Sequence, residues 1–287
     1  MSISGRANVA GVVGWPVSHS LSPRLHGFWL REHGIDGAYV PLAVPPESFA
    51  TSLNGLRLAG FMGVNVTNPH KEAAFAFAHK VDDSARLAGA ANLLVFREGK
   101  VEARNTDIEG FAASVSEALG GEALRGRNVA VLGAGGAARG VLLALDELGA
   151  REIRVVARNV SRAAALVDQL RPAISAKLVC LSWADWQAAA ADVALLVNAT
   201  SGGLTGKPPL NLSLDPLPES AAVCDIVYNP LETPLLKNAM ARSHRTIDGL
   251  GMLMHQAVPA FAAFYGVTPR VTPALRAELE KALRDDG

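Results

Sequence analysis

The chain has 287 residues, 49% of them hydrophobic, with 27 basic residues against 27 acidic ones. Such a length suffices for two domains whose cores need no metal or disulfide, although a single domain is not excluded by length. Balanced charge without a long single-sign run gives no support to nucleic-acid or membrane-surface binding, and no apolar run reaches membrane-spanning length.

The first third alternates short apolar runs with helical stretches: VAGVVG, PRLHGFWLREHG, AYVPLAV, PESFATSLNGLRLAG, GFMGVNVT and HKEAAFAFAHKV. This β-α-β-α rhythm predicts a largely parallel sheet covered by helices. ANLLVF and KVEAR, separated by Arg97-Glu98-Gly99, predict a hairpin, and a helix is expected from about Asp107 to Leu119. The following GGEALRGR is the best candidate boundary. A second series, NVAVLG, REIRVVA, KLVCL, VALLVNA and AVCDIV, again favours parallel strands, with Gln187 to Ala191 as a helix between two of them. Two helices close the chain, Met252 to Tyr265 and Pro273 to Leu283; packing back on the first domain would make that domain discontinuous. Cys180 and Cys224 lack metal-ligand or redox-pair spacing and are expected in the core of a reduced protein. With no secretory h-region near the N-terminus, a soluble cytoplasmic protein is expected.

Three polar clusters interrupt the first series. Ser20 and Ser22 lie between a strand and a helix, where hydroxyls can donate to a carboxylate; the alternative makes Ser22 an N-cap with Pro23 at the first helical position. His19 reads equally as an anchoring loop residue or a catalyst, and the histidines show no zinc-site spacing. Asn65 to Glu72 closes a strand and starts a helix at Lys71, a locally unfavourable place for a cation. A titratable amine there suits acid-base chemistry, and a solvated surface lysine is the alternative. Thr106 to Glu109 matches a capping box, in which Asp107 would merely complement the helix dipole.

In the second series, Gly133-Ala134-Gly135-Gly136-Ala137-Ala138 follows an apolar strand and opens a helix, the context of a dinucleotide fingerprint. Gly133 permits the turn, Gly135 admits a pyrophosphate, and Ala138 allows close packing, while the helix N-terminus offers N–H groups. A turn that binds nothing is the bland alternative. At the next strand end, Ala157-Arg158-Asn159 carries no acid for a ribose hydroxyl. Arg158 and Arg162 suit a 2′-phosphate, and hence NADP, unless they are only surface charges.

Taken in order, WPVSHSLSP, NVTNPHKEA, GAANL, NTD, GAGGAARG, NATS, YNP and GLGMLMHQA resemble the signatures of the shikimate dehydrogenase family across nearly the whole chain. The resemblance implies an α/β protein of two domains. Residues 1–107 with 250–287 would form a mixed, mostly parallel α/β substrate domain, and residues 108–249 a Rossmann-like, doubly wound NADP domain. It implies reversible NADP-dependent reduction of 3-dehydroshikimate to shikimate, on the route to aromatic amino acids, by a monomer or homodimer with no metal. Lys71 and Asp107 match the family's catalytic pair. Ser20 and Ser22 match its carboxylate-binding serines, Thr67, Asn92 and Gln256 its hydroxyl-binding residues, and Tyr228 a substrate-contacting tyrosine. The loop from Gly133 to Ala138, Arg158, Asn159, Arg162, Thr200, Ser201, Ile226 and Gly249 match dinucleotide contacts. Four positions depart from the pattern: Asn68 stands at a usually apolar position, implying a shifted or more polar pocket, and Ala91, Leu93 and Ala157 replace the usual Val, Thr and Asn. A quinate-type dehydrogenase using NAD, and a catalytically silent NADP-sensing protein, are the competing readings.

Overall fold

The computed structural model describes residues 3–285. The first half of the chain forms β1 (Asn8–Gly14), α1 (Ser22–Glu32), β2 (Gly37–Ala43), α2 (Phe49–Leu58), β3 (Gly63–Val66), α3 (Lys71–Phe77), β4 (Lys80–Val81), α4 (Asp83–Ala88), β5 (Leu93–Arg97), β6 (Lys100–Arg104) and α5 (Asp107–Leu119). The second half forms β7 (Asn128–Leu132), α6 (Gly136–Glu147), β8 (Glu152–Ala157), α7 (Val160–Leu170), β9 (Lys177–Ser182), α8 (Trp186–Ala190), β10 (Val193–Asn198), β11 (Ala222–Asp225), α9 (Pro234–Ala241), β12 (Thr246–Ile247), α10 (Gly249–Tyr265) and α11 (Pro273–Asp285). Among the described residues, 3–106 with 256–285 make one compact unit, and 107–255 make the other.

The first unit holds a six-stranded sheet of order β2-β1-β3-β5-β6-β4, parallel except where β5 runs against β3 and β6. The antiparallel step comes from the hairpin whose turn residues Glu98 and Gly99 have φ of 50° and 72°, the left-handed pair that a tight two-residue turn needs. HKEAAFAFAHKV is not a single helix. It leaves helical geometry at Ala78, whose ψ is 146°, so that Lys80–Val81 can pair with β6. The last turns of α10 join this unit through an aromatic cluster. His26 stacks on Tyr39 at 3.9 Å, and Trp29 meets Phe261 edge-on at 5.4 Å. Trp29 and Phe261 are fully buried, each such side chain contributing about 1.5–3 kcal/mol of transfer free energy.

The second unit holds a sheet of order β12-β11-β10-β7-β8-β9, parallel throughout. Its β7 (NVAVL) is buried at every position, because helices cover both faces of a parallel sheet and leave no polar side. In this doubly wound order the direction of winding reverses between β7 and β10, where the loops at the strands' C-terminal ends part and leave room for a ligand. Cys224 is buried in β11 as expected, whereas Cys180 is only half-buried, with its thiol reaching the Val160 carbonyl oxygen at 3.7 Å. It therefore lies at the margin of the core.

Candidate functional site

In the first unit, strand directions gather the polar residues at one sheet edge. β1 and β3 end together, with Val13 opposite Val66, while Leu93 at the start of β5 pairs with both Asn65 and Arg104. The segments carrying Ser20, Ser22, Thr67, Lys71, Asn92 and Thr106 all leave from that edge. Backbone bonds lace them together: Thr67 N donates to Val13 O at 2.9 Å, Val66 N to Asn92 O at 2.8 Å, and Ala91 N to Lys71 O at 2.9 Å. The approach is close enough that a Cβ on Gly14 would lie 2.5 Å from Thr67 Cγ2.

Ser22 is buried and begins α1, but the capping position is Leu21 and no side chain caps the helix. The cap alternative thus fails for Ser22, whose backbone N–H donates instead to Ser20 Oγ at 3.3 Å. Lys71 is half-buried at the first position of α3. Its neighbour His70, which sequence reasoning left unassigned, anchors that turn: it is buried, places Nε2 2.7 Å from Val44 O and stacks on Phe49 at 4.8 Å. Asn68 is exposed, while Ala91 and Leu93 are fully buried in the core.

Buried Asn92 and half-buried Gln256 meet in one hydrogen-bond network. Asn92 Oδ1 accepts from Thr106 N at 2.8 Å, and Asn92 Nδ2 donates to Thr106 Oγ1 at 2.9 Å and Gln256 Oε1 at 3.3 Å. Thr106 Oγ1 donates to the Gln256 carbonyl oxygen at 2.8 Å, so this hydroxyl ties α10 to the sheet edge. Deeper in the unit, Tyr39 donates to Asn65 Oδ1 at 2.7 Å, and Asn65 Nδ2 donates to Asn92 O at 3.2 Å. Burial holds the Tyr39 phenol well above its ordinary pKa, keeping it a donor.

In the second unit, Asp107 is buried at the start of α5. The glycine-rich loop turns from β7 into α6. Gly133 has φ 102°, and a Cβ there would stand 2.7 Å from Thr200 Cγ2. The helix begins at Gly136 with no side-chain cap, and a Cβ on Gly135 or Gly136 would meet nothing within 4 Å. The protein's own packing therefore does not demand these two glycines. The uncapped N–H groups at the helix start have the chemistry to meet an anion such as a pyrophosphate, and without side chains at these two positions nothing stands over them. Ala138 is fully buried, as close helix-to-sheet packing requires.

β8 runs beside β7, and Gly133 N donates to Val156 O at 2.9 Å, so the next turn emerges beside the loop. Arg158 and Asn159 occupy that turn and Arg162 the first turn of α7, all three exposed, with Asn159 Oδ1 capping α7 by accepting from Arg162 N at 2.9 Å. On the other side of β7, Thr200 and Ser201 follow β10, and Ala199 N donates to Leu132 O at 2.9 Å. Ile226 N donates to Asn198 O at 3.2 Å, and Gly249 lies so near that its Cβ would be 2.3 Å from Ile226 O. Tyr228 is half-buried on the loop after β11. Sequence reasoning missed two fully buried residues beneath these loops, Asn198 and Asp225. The signal was present in AVCDIV, where a lone carboxylate interrupts an apolar strand. Among the described residues no group of His, Cys, Asp and Glu is arranged to hold a metal, and no helix is long and apolar enough to cross a membrane.

Residues 12–94 match the family model for the shikimate dehydrogenase substrate binding domain, and residues 115–207 match that for shikimate / quinate 5-dehydrogenase. A shikimate dehydrogenase (NADP(+)) of Acidiphilium cryptum is 52% identical over 275 residues, 96% of either chain. Among solved structures, shikimate 5-dehydrogenase of Thermus thermophilus in complex with NADP(H) and shikimate is 36% identical with a TM-score of 0.83, covering 97% of this chain and 99% of its own. Quinate dehydrogenase of Corynebacterium glutamicum in complex with NAD is 30% identical with a TM-score of 0.87, again covering 97% and 99%.

Proposed function

The chain belongs to the shikimate dehydrogenase family, and we propose that it catalyses the reversible NADP(H)-dependent reduction of 3-dehydroshikimate to shikimate, with Lys71 and Asp107 as the catalytic pair. The observation that carries this reading is the gathering of the segments that bear Ser20, Ser22, Thr67, Lys71, Asn92 and Gln256 at or against one sheet edge, a set of neutral donors and acceptors with one amine among them. The first unit takes the substrate and the second the cofactor.

When bound, the nicotinamide supplies or receives the hydride. Lys71 polarises the substrate carbonyl and gives its oxygen a proton during reduction, or takes that proton back during oxidation. Asp107 accepts a hydrogen bond from a substrate hydroxyl. Ser20 and Ser22 donate to the substrate carboxylate, Tyr228 adds a phenolic donor, and Thr67, Asn92 and Gln256 read the ring hydroxyls. On the cofactor side, the loop from Gly133 to Ala138 presents N–H groups to the pyrophosphate, and Arg158 and Arg162 meet the 2′-phosphate. Asn159, Thr200, Ser201, Ile226 and Gly249 complete that surface. The protein works in the cytoplasm as a monomer or homodimer.

A second reading, quinate oxidation with NAD, draws on the likeness to the quinate dehydrogenase structure. Following reduced-cofactor formation with purified protein, using shikimate or quinate and NADP or NAD in all four combinations, decides between them. The proposed function requires the shikimate and NADP pair to give the highest kcat/KM.

A further inference from the structure

Asp225 ends β11 with no exposed surface, and the proposed chemistry does not use it. Its Oδ1 accepts from Asn198 Nδ2 at 2.8 Å and from Val227 N at 3.0 Å, and its Oδ2 accepts from Thr233 Oγ1 at 2.7 Å. A carboxylate is acceptor-only, so it dictates which end of the Asn198 amide faces it. Asn198 Nδ2 is thereby turned to Asp225 and the Gly202 carbonyl oxygen, at 3.2 Å. That leaves Asn198 Oδ1 pointing at Thr200, from which it accepts through N at 3.0 Å and through Oγ1 at 2.7 Å. Thr200 Oγ1 in turn accepts from Gly202 N at 2.9 Å, closing the loop on itself. An apolar residue would occupy this buried place at less cost than a carboxylate, so the acid is kept for what it orients.

We propose that Asp225 is a positioning residue for the cofactor surface, acting through Asn198 to fix the conformation of the loop that carries Thr200 and Ser201. This rests on the reading of that loop as cofactor-binding.

The test measures NADP Kd by titration calorimetry and steady-state constants for Asp225→Ala, Asn198→Ala, the double variant, Asp225→Asn and Thr200→Ala. Asn198→Ala should raise Kd and KM for NADP about tenfold, while kcat and the KM for shikimate stay near wild type, because the relay reaches only the cofactor loop. Since both residues act through one relay, the double variant should bind NADP as weakly as Asn198→Ala alone, not additively worse. Asp225→Asn retains an acceptor for Asn198 and Val227 and turns its amide to Thr233 Oγ1, so it should bind within about threefold of wild type. Unchanged NADP binding in Asn198→Ala, or additive losses in the double variant, overturns the proposal. If Asp225→Ala does not fold, Asn198→Ala and Asp225→Asn decide the matter, and an Asn variant as impaired as Asn198→Ala sinks the relay. A wild-type chain that does not bind NADP, or Thr200→Ala binding it unchanged, removes the functional reading of the loop instead, and the proposal falls with it.

Discussion

The polar edge of the first unit and the cofactor edge of the second solve opposite problems. At the first, side chains hold one another: Asn92 bonds Thr106 and Gln256, and Thr106 bonds the Gln256 backbone, with Asn65 and Tyr39 bracing them from behind. At the second, the surface proposed for the cofactor is mainly backbone, left open by the absence of side chains at Gly135 and Gly136. Reading ring hydroxyls needs donors and acceptors held in one place, which a cross-braced network provides. Phosphate binding needs close approach to N–H groups, which missing side chains provide.

The largest break in this comparison comes at the first edge. Lys71→Ala should lower kcat by about 10² to 10⁴-fold, the range for loss of a general acid-base, with NADP affinity barely changed. Near-full turnover at saturating substrate would show that Lys71 does not carry the proton. The next largest effect tests the buried scaffold of the second edge. Burial pushes the Asp225 carboxyl up to about 6, against hydrogen bonds from Thr233, Val227 and Asn198 that favour its charged form. Its folded pKa therefore lies above its unfolded one, and the stability it contributes, full below about pH 4, is lost as pH rises through about 6. Asp225→Asn removes that dependence, so the variant should gain on wild type between pH 4 and 7, by at most about 3 kcal/mol. Denaturant unfolding at both pH values checks this, and identical pH profiles for the two proteins would refute it.

Gly135→Ala sharpens the contrast between the edges. Since a Cβ there meets no protein atom and its φ of −94° suits any residue, only the helix-start preference for glycine is lost, and the melting temperature should fall by no more than about a few degrees. NADP affinity should nevertheless fall on the order of a hundredfold as one or two charge-assisted N–H contacts are lost. A fall in stability with unchanged affinity would make the loop a structural turn.

The same contrast explains what was legible in the sequence. The second sheet could be read from its apolar runs, because strands buried on both faces leave no polar positions and glycine marks their ends. β4 and β12, two residues each, are too short to show any period, and only pairing with β6 and β11 defines them. The destination of the last helices was open, since the partners of Phe261 and Phe264, Trp29 and Tyr39, are more than two hundred residues earlier. Lys71 stood out because it opposes a helix dipole. His70, Asn198 and Asp225 did not, because each acts through partners that only the fold brings within reach.

Smaller effects divide between the two edges. Arg158→Ala should reduce discrimination for NADP over NAD by ten- to a hundredfold, through kcat/KM for NADP alone, since an exposed arginine meeting a phosphate contributes about 1.5–3 kcal/mol. Part of this preference should fade with added salt. Equal losses for both cofactors would mean that the residue packs against the cofactor instead of reading its phosphate.

The smallest expected effect lies at the first edge and asks whether its serines bind substrate or only shape the loop. Ser20 Oγ accepts from Ser22 N at 3.3 Å, a long bond for a neutral pair, and that acceptor role leaves its O–H available to donate. A hydrogen bond to a charged group contributes about 1.5–3 kcal/mol, so Ser20→Ala should raise the KM for shikimate about tenfold or somewhat more. Turnover should change little, because the carboxylate is remote from the carbonyl that Lys71 serves and is held alike in ground and transition states. Losing a weak acceptor in a half-buried loop should cost little stability, so thermal unfolding separates the two roles. A lower melting temperature with an unchanged KM would make Ser20 a loop residue and leave Ser22 alone to hold the carboxylate; a raised KM at constant melting temperature places the hydroxyl on the substrate.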